Sequence, residues 1–213
     1  TAVGISALDG LTQGDYNVAV GSYSLTSNNL GQYNTAIGHY ALKSNTGNAD
    51  GVQGSKNTAT GGESLYENSS GYKNTANGYY ALNLNTTGYN NSALGHKAGD
   101  KITTGYNNVI IGESADPSVN NATNQIVIGQ DAVGGGNNTA VIGNASIEAW
   151  LPPDDDGVDL GSSSKEFDDL HVDGVAFLDA IGFGTVVMEL PVADGSANQV
   201  LKTDGSGNLD WVD

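Results

Sequence analysis

The sequence of 213 residues contains no cysteine and no arginine, and only four prolines. Without cysteine, neither disulfide bonds nor thiolate metal sites can form. No run of 18 apolar residues and no basic segment followed by an apolar one at the N-terminus is present, so the sequence predicts neither a membrane span nor a signal peptide. Because the first residue is a threonine, we expect a processed chain or a fragment.

Positive charge is also scarce. Seven lysines stand against 24 acidic residues, which gives a formal net charge of −17. A protein that binds DNA or RNA needs a basic surface, and none is predicted here. For the same reason the charge disfavours binding to an anionic membrane surface. Glycine, in contrast, is abundant at 31 residues, and its regular spacing argues against disorder.

The glycines mark an internal repeat. Six of the eight intervals between consecutive repeat glycines are 17 residues long, one is 23 and one is 14. The repeat glycines are Gly4, Gly21, Gly38, Gly61, Gly78, Gly95, Gly112, Gly129 and Gly143. Four residues before the glycine the repeat has an asparagine, at Asn17, Asn34, Asn57, Asn74, Asn91 and Asn108. An alanine or a larger apolar residue stands two before the glycine, a second glycine often seven before it, and a small residue followed by leucine often after it.

The repeat predicts a β-solenoid. The segment "NTAIG" alternates with period two, which is typical of a strand, and 17 residues fit two short strands and two turns better than a pair of helices. The alanine and glycine columns suit a narrow interior in which backbones approach closely. We interpret the asparagine column as structural, because stacked asparagines commonly bond the backbone of turns. The segment "GQYNTAIGHYAL" (31–42) is therefore a repeat unit and not a phosphate-binding loop, which would occur once, between a strand and a helix.

The later copies, "NVIIG" (108–112) and "QIVIG" (125–129), have large apolar residues on both faces of the strand. A thin solenoid has one inner face, so the outer apolar residues must contact something other than water. We expect a homo-oligomer, most simply a bundle of three parallel solenoids. Thr60 and Asn77 weaken this pattern in the middle copies, so we expect the tightest packing towards residue 147.

The segments "NTAIGHYAL" and "LNTTGYNNSALG" (84–95) resemble the head repeats of trimeric autotransporter adhesins, and resemble the repeats of bacteriophage tail fibres more closely. The resemblance covers residues 1–147 and implies a left-handed parallel β-roll in a homotrimer. "VDLGSSSKEFDDLHVDG" (158–174) and "LPVADGSANQVLKTDGSGNLDWVD" (190–213) are also similar to tail-fibre segments. The six extra residues before Gly61 depart from the pattern, and we expect them to bulge out as the loop 45–54.

A change in charge divides the chain into two regions. Residues 1–147, the predicted solenoid, have a net charge of −4, and residues 148–213 have −13. At the junction, "EAWLPPDDDG" (148–157), two prolines stop regular strand pairing and Trp150 is a candidate cap of the last coil. We expect 148–213 to be a small β-rich tip or connector, with short strands within 175–190.

The sequence predicts no catalytic, cofactor or metal site. Asp154, Asp155 and Asp156 lack the spacing of an EF-hand and favour a solvated turn over a Ca²⁺ site. His39 and His96 occupy a variable column, which indicates the surface and not zinc. The N-x-S/T triplets are interpreted as incidental; they begin at Asn68, Asn85, Asn121, Asn137 and Asn144.

Three tyrosines, Tyr23, Tyr40 and Tyr80, follow the repeat glycine by two residues and are the candidate receptor contacts. Aromatic rows on a fibre could stack on the sugar rings of a glycan. The alternative is that they cover neighbouring coils or seal the seam between chains. Tyr16 and Tyr33, five residues before the repeat glycine, form a second column to which the same two interpretations apply.

These features favour a non-enzymatic, structural and host-recognising segment of a homotrimeric phage tail fibre, located in the virion. The expected partners are two further copies of the chain, other fibre or virion proteins, and a host surface receptor such as a glycan. Two alternatives stay open. One is the head domain of a bacterial surface adhesin. The other is a polysaccharide-cleaving tailspike, which would need facing carboxylates in a cleft.

Overall fold

The computed structural model describes residues 1–48, 50–149, 151, 180–183, 186–189, 196, 198–203 and 209–212. These residues form strands and turns, and no helix occurs among them. The chain divides into two compact units, Thr1–Trp150 and Leu151–Asp213. The prediction of an all-β protein is confirmed for the described part of the chain.

Nine short strands of the first unit form one parallel sheet in which neighbours in sequence are neighbours in space. They are β1 (Ala2–Val3), β2 (Val18–Val20), β3 (Thr35–Ile37), β4 (Thr58–Thr60), β5 (Thr75–Asn77), β6 (Ser92–Leu94), β7 (Val109–Ile111), β8 (Ile126–Ile128) and β9 (Ala140–Ile142). Residues of one repeat column pair with each other, as Ala19 does with Ala36 and Ala36 with Ala59. The predicted parallel β-solenoid with about 17 residues per coil is therefore confirmed.

The core of the solenoid is thin and consists mainly of small side chains. In most strands the central residue is buried, whereas the residues on either side of it lie on the outer face of the sheet and are partly or fully exposed, as the alternation in "NTAIG" predicts. The buried central residues are Ala19, Ala36, Ala59, Ala76, Ala93, Ile110 and Val127. Leucines of the following turn complete the same cluster, and four of them have no exposed surface: Leu25, Leu42, Leu65 and Leu82.

The 23-residue interval leaves the sheet undisturbed. Strand β4 pairs with β3 in the regular register, Thr35 opposite Thr58, although six extra residues separate them. These residues lie in the loop between Asn45 and Gly54. In this loop the side chain of Asn48 accepts a hydrogen bond from the backbone N–H of Gln53 at 3.1 Å. The shorter, 14-residue interval before β9 likewise keeps the register, with Val127 opposite Val141.

The second unit contains two antiparallel strand pairs among its described residues. Strand β10 (Ala180–Phe183) pairs with β11 (Val186–Glu189), and β12 (Val200–Thr203) pairs with β13 (Leu209–Val212). Short strands within 175–190 agree with the sequence prediction. The proposed cap Trp150 and the candidate turn Asp154–Asp156 lie outside the described residues.

Candidate functional site

The asparagine four residues before each repeat glycine joins neighbouring coils. The side-chain oxygen of Asn57 accepts a hydrogen bond from the backbone N–H of Asn74 at 3.0 Å, and its amide donates to the carbonyl of Gly71 at 2.9 Å. The same two bonds recur in six consecutive coils, at Asn17, Asn34, Asn57, Asn74, Asn91 and Asn108, and the ladder ends on Gln125. All seven side chains are buried. These predicted repeat residues therefore lie inside the fold, where they satisfy backbone groups that would otherwise be unpaired.

A second asparagine ladder was missed in the sequence. Its members are fully buried and stand seven residues after the repeat glycine: Asn28, Asn45, Asn68 and Asn85. The amide of Asn68 donates both to the side-chain oxygen of Asn45 at 2.8 Å and to the carbonyl of Gly71 at 3.0 Å. That carbonyl thus accepts one bond from each ladder. Since two of these asparagines also begin N-x-S/T triplets, their burial shows that those triplets do not present an accessible glycosylation site.

The second ladder stops where the repeat changes. The next residue in this column is Ile102, which is fully buried and offers no hydrogen bond. The side-chain oxygen of Asn85 consequently has no partner among the described residues. The sequence signal for this ladder was present in only four copies, which explains why it was less visible than the first.

The repeat glycines allow the coils to approach closely. Eight of them, from Gly4 to Gly129, have φ between +125° and +142°. A Cβ on Gly78 would lie 2.2 Å from the carbonyl oxygen of Gly95 in the next coil. Both the backbone angle and the spacing exclude a side chain here. The glycine column is therefore a structural requirement of coil stacking.

Tyrosines of two columns before the strands form parallel stacks along the solenoid. The rings of Tyr72 and Tyr89 have centroids 4.9 Å apart and planes 2° apart, and Tyr89 and Tyr106 repeat this geometry at 4.8 Å and 4°. Tyr16 and Tyr33 stack in the same way at 4.8 Å and 13°. Each ring of a stack covers one face of its neighbour in the next coil, while Tyr16 and Tyr33 remain 72% and 52% exposed.

The aromatic residues after the strands are arranged differently. We call Tyr23, His39, Tyr40, Tyr66, Tyr79 and Tyr80 the aromatic ridge. The ring planes of Tyr40 and Tyr66 are inclined by 88° at a centroid distance of 5.9 Å, and those of Tyr79 and Tyr80 by 74° at 4.3 Å. Tyr79 also stacks on His96 of the next coil, with ring centroids 5.9 Å apart and planes 7° apart. The three predicted receptor contacts all belong to this ridge: Tyr23, Tyr40 and Tyr80.

Gly62 lies between the aromatic residues of the coil before it and those of the coil after it. Gly62 occupies the column that contains His39 in the coil before and Tyr79 in the coil after. A Cβ on Gly62 would lie 3.1 and 3.2 Å from two ring carbons of Tyr79 and 3.8 Å from the carbonyl oxygen of His39. The ring of Tyr79 therefore leans over a coil that has no side chain at this point.

Charged groups lie among the rings of the ridge. The ammonium of Lys43 donates to the hydroxyl of Tyr66 at 2.8 Å and lies 4.8 Å from the ring centroids of both Tyr40 and Tyr66. The hydrogen bond to Tyr66 raises the pKa of Lys43, so its positive charge is retained. Hydrogen bonds with Tyr79 and then with the carboxylate of Glu63 raise the pKa of Tyr80 to about 12. The ridge thus combines aromatic faces with a fixed cation, a carboxylate and a neutral phenol.

The other candidate residues do not assemble into a catalytic or metal site. His39 is exposed, and His96 lies 3.6 Å from the carboxylate of Glu113, with both side chains near half exposed. Within the described ranges no group of three or more histidine, cysteine or acidic side chains is placed to hold a metal ion. The same ranges contain no helix long and apolar enough to cross a bilayer.

One ion pair, between a buried carboxylate and an exposed lysine, was not predicted. Asp116 occupies the column that holds leucine in the earlier coils, and its side chain is only 7% exposed. The ammonium of Lys101 lies 3.0 Å from this carboxylate, whose other oxygen accepts the backbone N–H of Lys101 at 3.3 Å. Burial raises the pKa of Asp116, an effect that the hydrogen bond from Lys101 opposes.

Comparison with protein-family models, with curated protein sequences and with solved structures finds no match to this chain. The arguments about function consequently depend on the geometry of the chain itself and on the resemblance of its repeats.

Proposed function

We propose that this chain is a structural, host-recognising segment of a homotrimeric bacteriophage tail fibre. The resemblance of the repeats supports a fibre, and the outer face of the nine-stranded sheet supports self-association. That outer face is the observation on which the proposal depends most.

Large apolar side chains lie exposed on the outer face, on either side of the buried central column. Ile37 is 43% exposed, Leu94 50% and Ile111 36%. Further members of the same face are Val3, Val20, Ile126 and Ile142. The core of the coil lies on the other side of the sheet, so within the described part of the first unit these side chains are left uncovered. Association of several copies would remove them from water, which contributes about 25 cal/mol for each Å² of apolar surface.

The polar middle of the face indicates where copies would pack least tightly. Asn77 is exposed on β5, and the neighbouring strands contribute Thr60 and Ser92. A shallow depression runs from this polar strip onto the apolar part of β6 and β7, lined by Thr75, Asn77, Ser92, Ala93, Leu94, Val109 and Ile111. We therefore expect two apolar contact zones separated by a wetter one, with the more extensive zone on β6 to β9.

In this proposal the solenoid is a rigid spacer that displays the same surface three times around one axis. Weak individual contacts with a host receptor then add through avidity. The ladders of buried asparagines suit such a role, because they fix the coils to one another along the whole repeat.

The mass in solution tests the proposal. Light scattering on the intact chain is expected to give about three times 21.7 kDa. A double variant, Leu94→Asp with Ile111→Asp, is expected to give the mass of one chain, because charged groups at a buried interface lack compensation. Val52→Asp is the matched control, since Val52 is 49% exposed in the loop outside the sheet. A folded monomer of the unmodified chain would contradict the proposal.

A further inference from the structure

Two rows of residues border the nine-stranded sheet. We call the positions five and six residues before each repeat glycine the leading edge of the sheet, and the positions one and two residues after it the trailing edge. In every coil from that of Gly21 to that of Gly129, the residue five before and the residue two after the glycine have a left-handed backbone, as Lys56 has at φ 60° and Glu63 at 55°. Side chains kept in this costly conformation point to a role beyond the folding of one chain.

Tyrosines stand at both edges of the same two coils. At the leading edge Tyr16 is 72% exposed and Tyr33 52%, and at the trailing edge of the same coils lie Tyr23, which is 37% exposed, and the partly buried Tyr40. Stacking along the solenoid joins Tyr16 to Tyr33 and Tyr23 to Tyr40, but it leaves these fractions of the side chains in water. Apolar surface exposed at both edges of the same coils favours contact between copies of the chain.

The charges of the two edges are complementary at the level of β4. Lys56 precedes this strand and Glu63 follows it, and in the other coils from that of Gly21 onwards a charge at one edge has only uncharged residues or histidine at the other. Within the part of the chain that the structure describes, neither Lys56 nor Glu63 forms a salt bridge, although Glu63 interacts with the hydroxyl of Tyr80. An ionised carboxylate accepts several hydrogen bonds, so Glu63 keeps the capacity to bind a second donor.

A rotation axis parallel to the solenoid brings the two edges together. In a closed ring of copies around such an axis, the leading edge of one copy faces the trailing edge of the next, and each coil stays at the same height. Lys56 then faces Glu63 of the next copy, and the tyrosines of the two edges meet as well. An antiparallel pair packed through the sheet would instead place the leading edge against itself, and a pair centred on β5 would bring Lys73 against Lys73. Like charges in contact oppose association.

We propose that the leading edge of one copy binds the trailing edge of the next, with the ammonium of Lys56 paired to the carboxylate of Glu63. An exposed ion pair adds little affinity. The apolar outer face of the sheet therefore supplies the affinity, and the pair fixes which edges meet and at which height. This inference rests on the proposed function, because it assigns the contacts between the copies of the trimer.

The absence of cysteine allows a direct test by disulfide formation. In the double variant Lys56→Cys with Glu63→Cys, the three-residue strand β4 separates the two thiols of one chain by about 10 Å, beyond the ~7 Å between Cα atoms that a disulfide spans. Oxidised glutathione should therefore link different copies and give covalent trimers in a denaturing gel. Asn90→Cys with Glu63→Cys is the matched control. Asn90 belongs to the same edge but lies two coils, or about 10 Å, further along, so no covalent trimer is expected.

Charge variants test the pair without a covalent bond. Lys56→Glu and Glu63→Lys each place like charges across the seam, and each is expected to lower the association constant of the copies about ten-fold, measured by sedimentation equilibrium at low salt. The double variant, in which the two charges are exchanged, should recover association. Lys202→Glu, on β12 of the second unit, changes the net charge as Lys56→Glu does and should associate like the unmodified chain. Circular dichroism checks that each variant is folded.

Light scattering on the unmodified chain separates this inference from the proposed function. If the chain is a trimer but the double cysteine variant gives no covalent trimer, or the exchanged charges do not recover association, the pairing of the edges is refuted and the trimer stands. Covalent dimers of either single cysteine variant would show that like edges meet, which also refutes it. A monomeric unmodified chain refutes both proposals.

Discussion

The side-chain oxygen of Asn57 accepts the backbone N–H of Asn74, 17 residues further along the chain, at 3.0 Å. Because the same bond recurs from coil to coil, each repeat is held in a fixed register relative to the next one. The register is held without a large apolar core, since the central column of the early coils is alanine. Much of the specificity of this fold therefore comes from buried hydrogen bonds.

The first prediction concerns this ladder. Asn74→Ala removes the acceptor for the backbone N–H of Asn91, which lies 2.9 Å away, and leaves that group buried and unpaired. We expect a loss of about 1–3 kcal/mol in the free energy of unfolding, measured by urea denaturation. Asn74→Asp should cost more at neutral pH, because a carboxylate then faces the carbonyl of Gly88. Asn77→Ala, on the exposed face of the strand that follows Asn74, is the control, and an equal loss of stability there would refute a special role of the ladder.

The second prediction separates backbone strain from contact between coils. Gly78 and Gly136 have similar φ, +142° and +129°, but only Gly78 has a neighbour where its Cβ would be. Gly136→Ala should therefore cost about 1–3 kcal/mol from its φ alone. Gly78→Ala should cost clearly more, or prevent folding, because the Cβ would overlap the next coil. Thermal unfolding followed by circular dichroism compares the two, and equal losses would show that coil contact is unimportant.

The repeat columns explain how much of this structure the sequence could predict. The strands, the glycine column and the first asparagine ladder follow from residues that recur at one spacing in nearly every copy. The second ladder recurs in four copies and then gives way to Ile102, so its signal was weaker. The ridge depends on how inclined side chains from three coils meet around Gly62, which no column of the repeat specifies.

The left-handed backbone conformation of residues other than glycine could also not be predicted from the sequence. Leu42 and Tyr40 have φ of 50° and 59°, values that leucine and tyrosine rarely adopt. One column did carry a signal. Five residues before the repeat glycine, the later copies have asparagine, which tolerates this conformation best among residues with side chains, at Asn90, Asn107, Asn124 and Asn138.

That column supplies the third prediction. Lys56 has φ of 60° in a position where later coils have asparagine. Lys56→Asn is expected to raise the free energy of unfolding by about 0.5–1 kcal/mol, because asparagine is less strained in this conformation. Lys56→Gln removes the same charge without that tolerance and is the matched control. The interpretation fails if both variants change the midpoint of denaturation equally.

The last prediction uses the buried carboxylate of Asp116 and its exposed partner Lys101. Burial raises the pKa of Asp116 above the ordinary value of 3.8, so the ionised carboxylate opposes folding. The protonated, neutral form of Asp116 is therefore the form that favours folding. Its contribution to the free energy of unfolding is fully present below the ordinary pKa and is lost as the pH rises through the pKa in the folded protein. Asp116→Asn should therefore be more stable than the unmodified chain at pH 7, with a difference that shrinks as the pH falls towards 3.

The partner residue provides the complementary variant. Lys101→Met removes the ammonium that lies 3.0 Å from the buried carboxylate. It should destabilise the chain at pH 7, where Asp116 is charged, and have little effect near pH 3, where it is not. Combining it with Asp116→Asn should abolish most of the loss, since no buried charge then remains unpaired. The free energy of unfolding is measured by urea denaturation from pH 3 to pH 7 for the unmodified chain, the two single variants and the double variant. A loss of stability in Lys101→Met that does not depend on pH would show that the methylenes of Lys101, and not its charge, stabilise this coil.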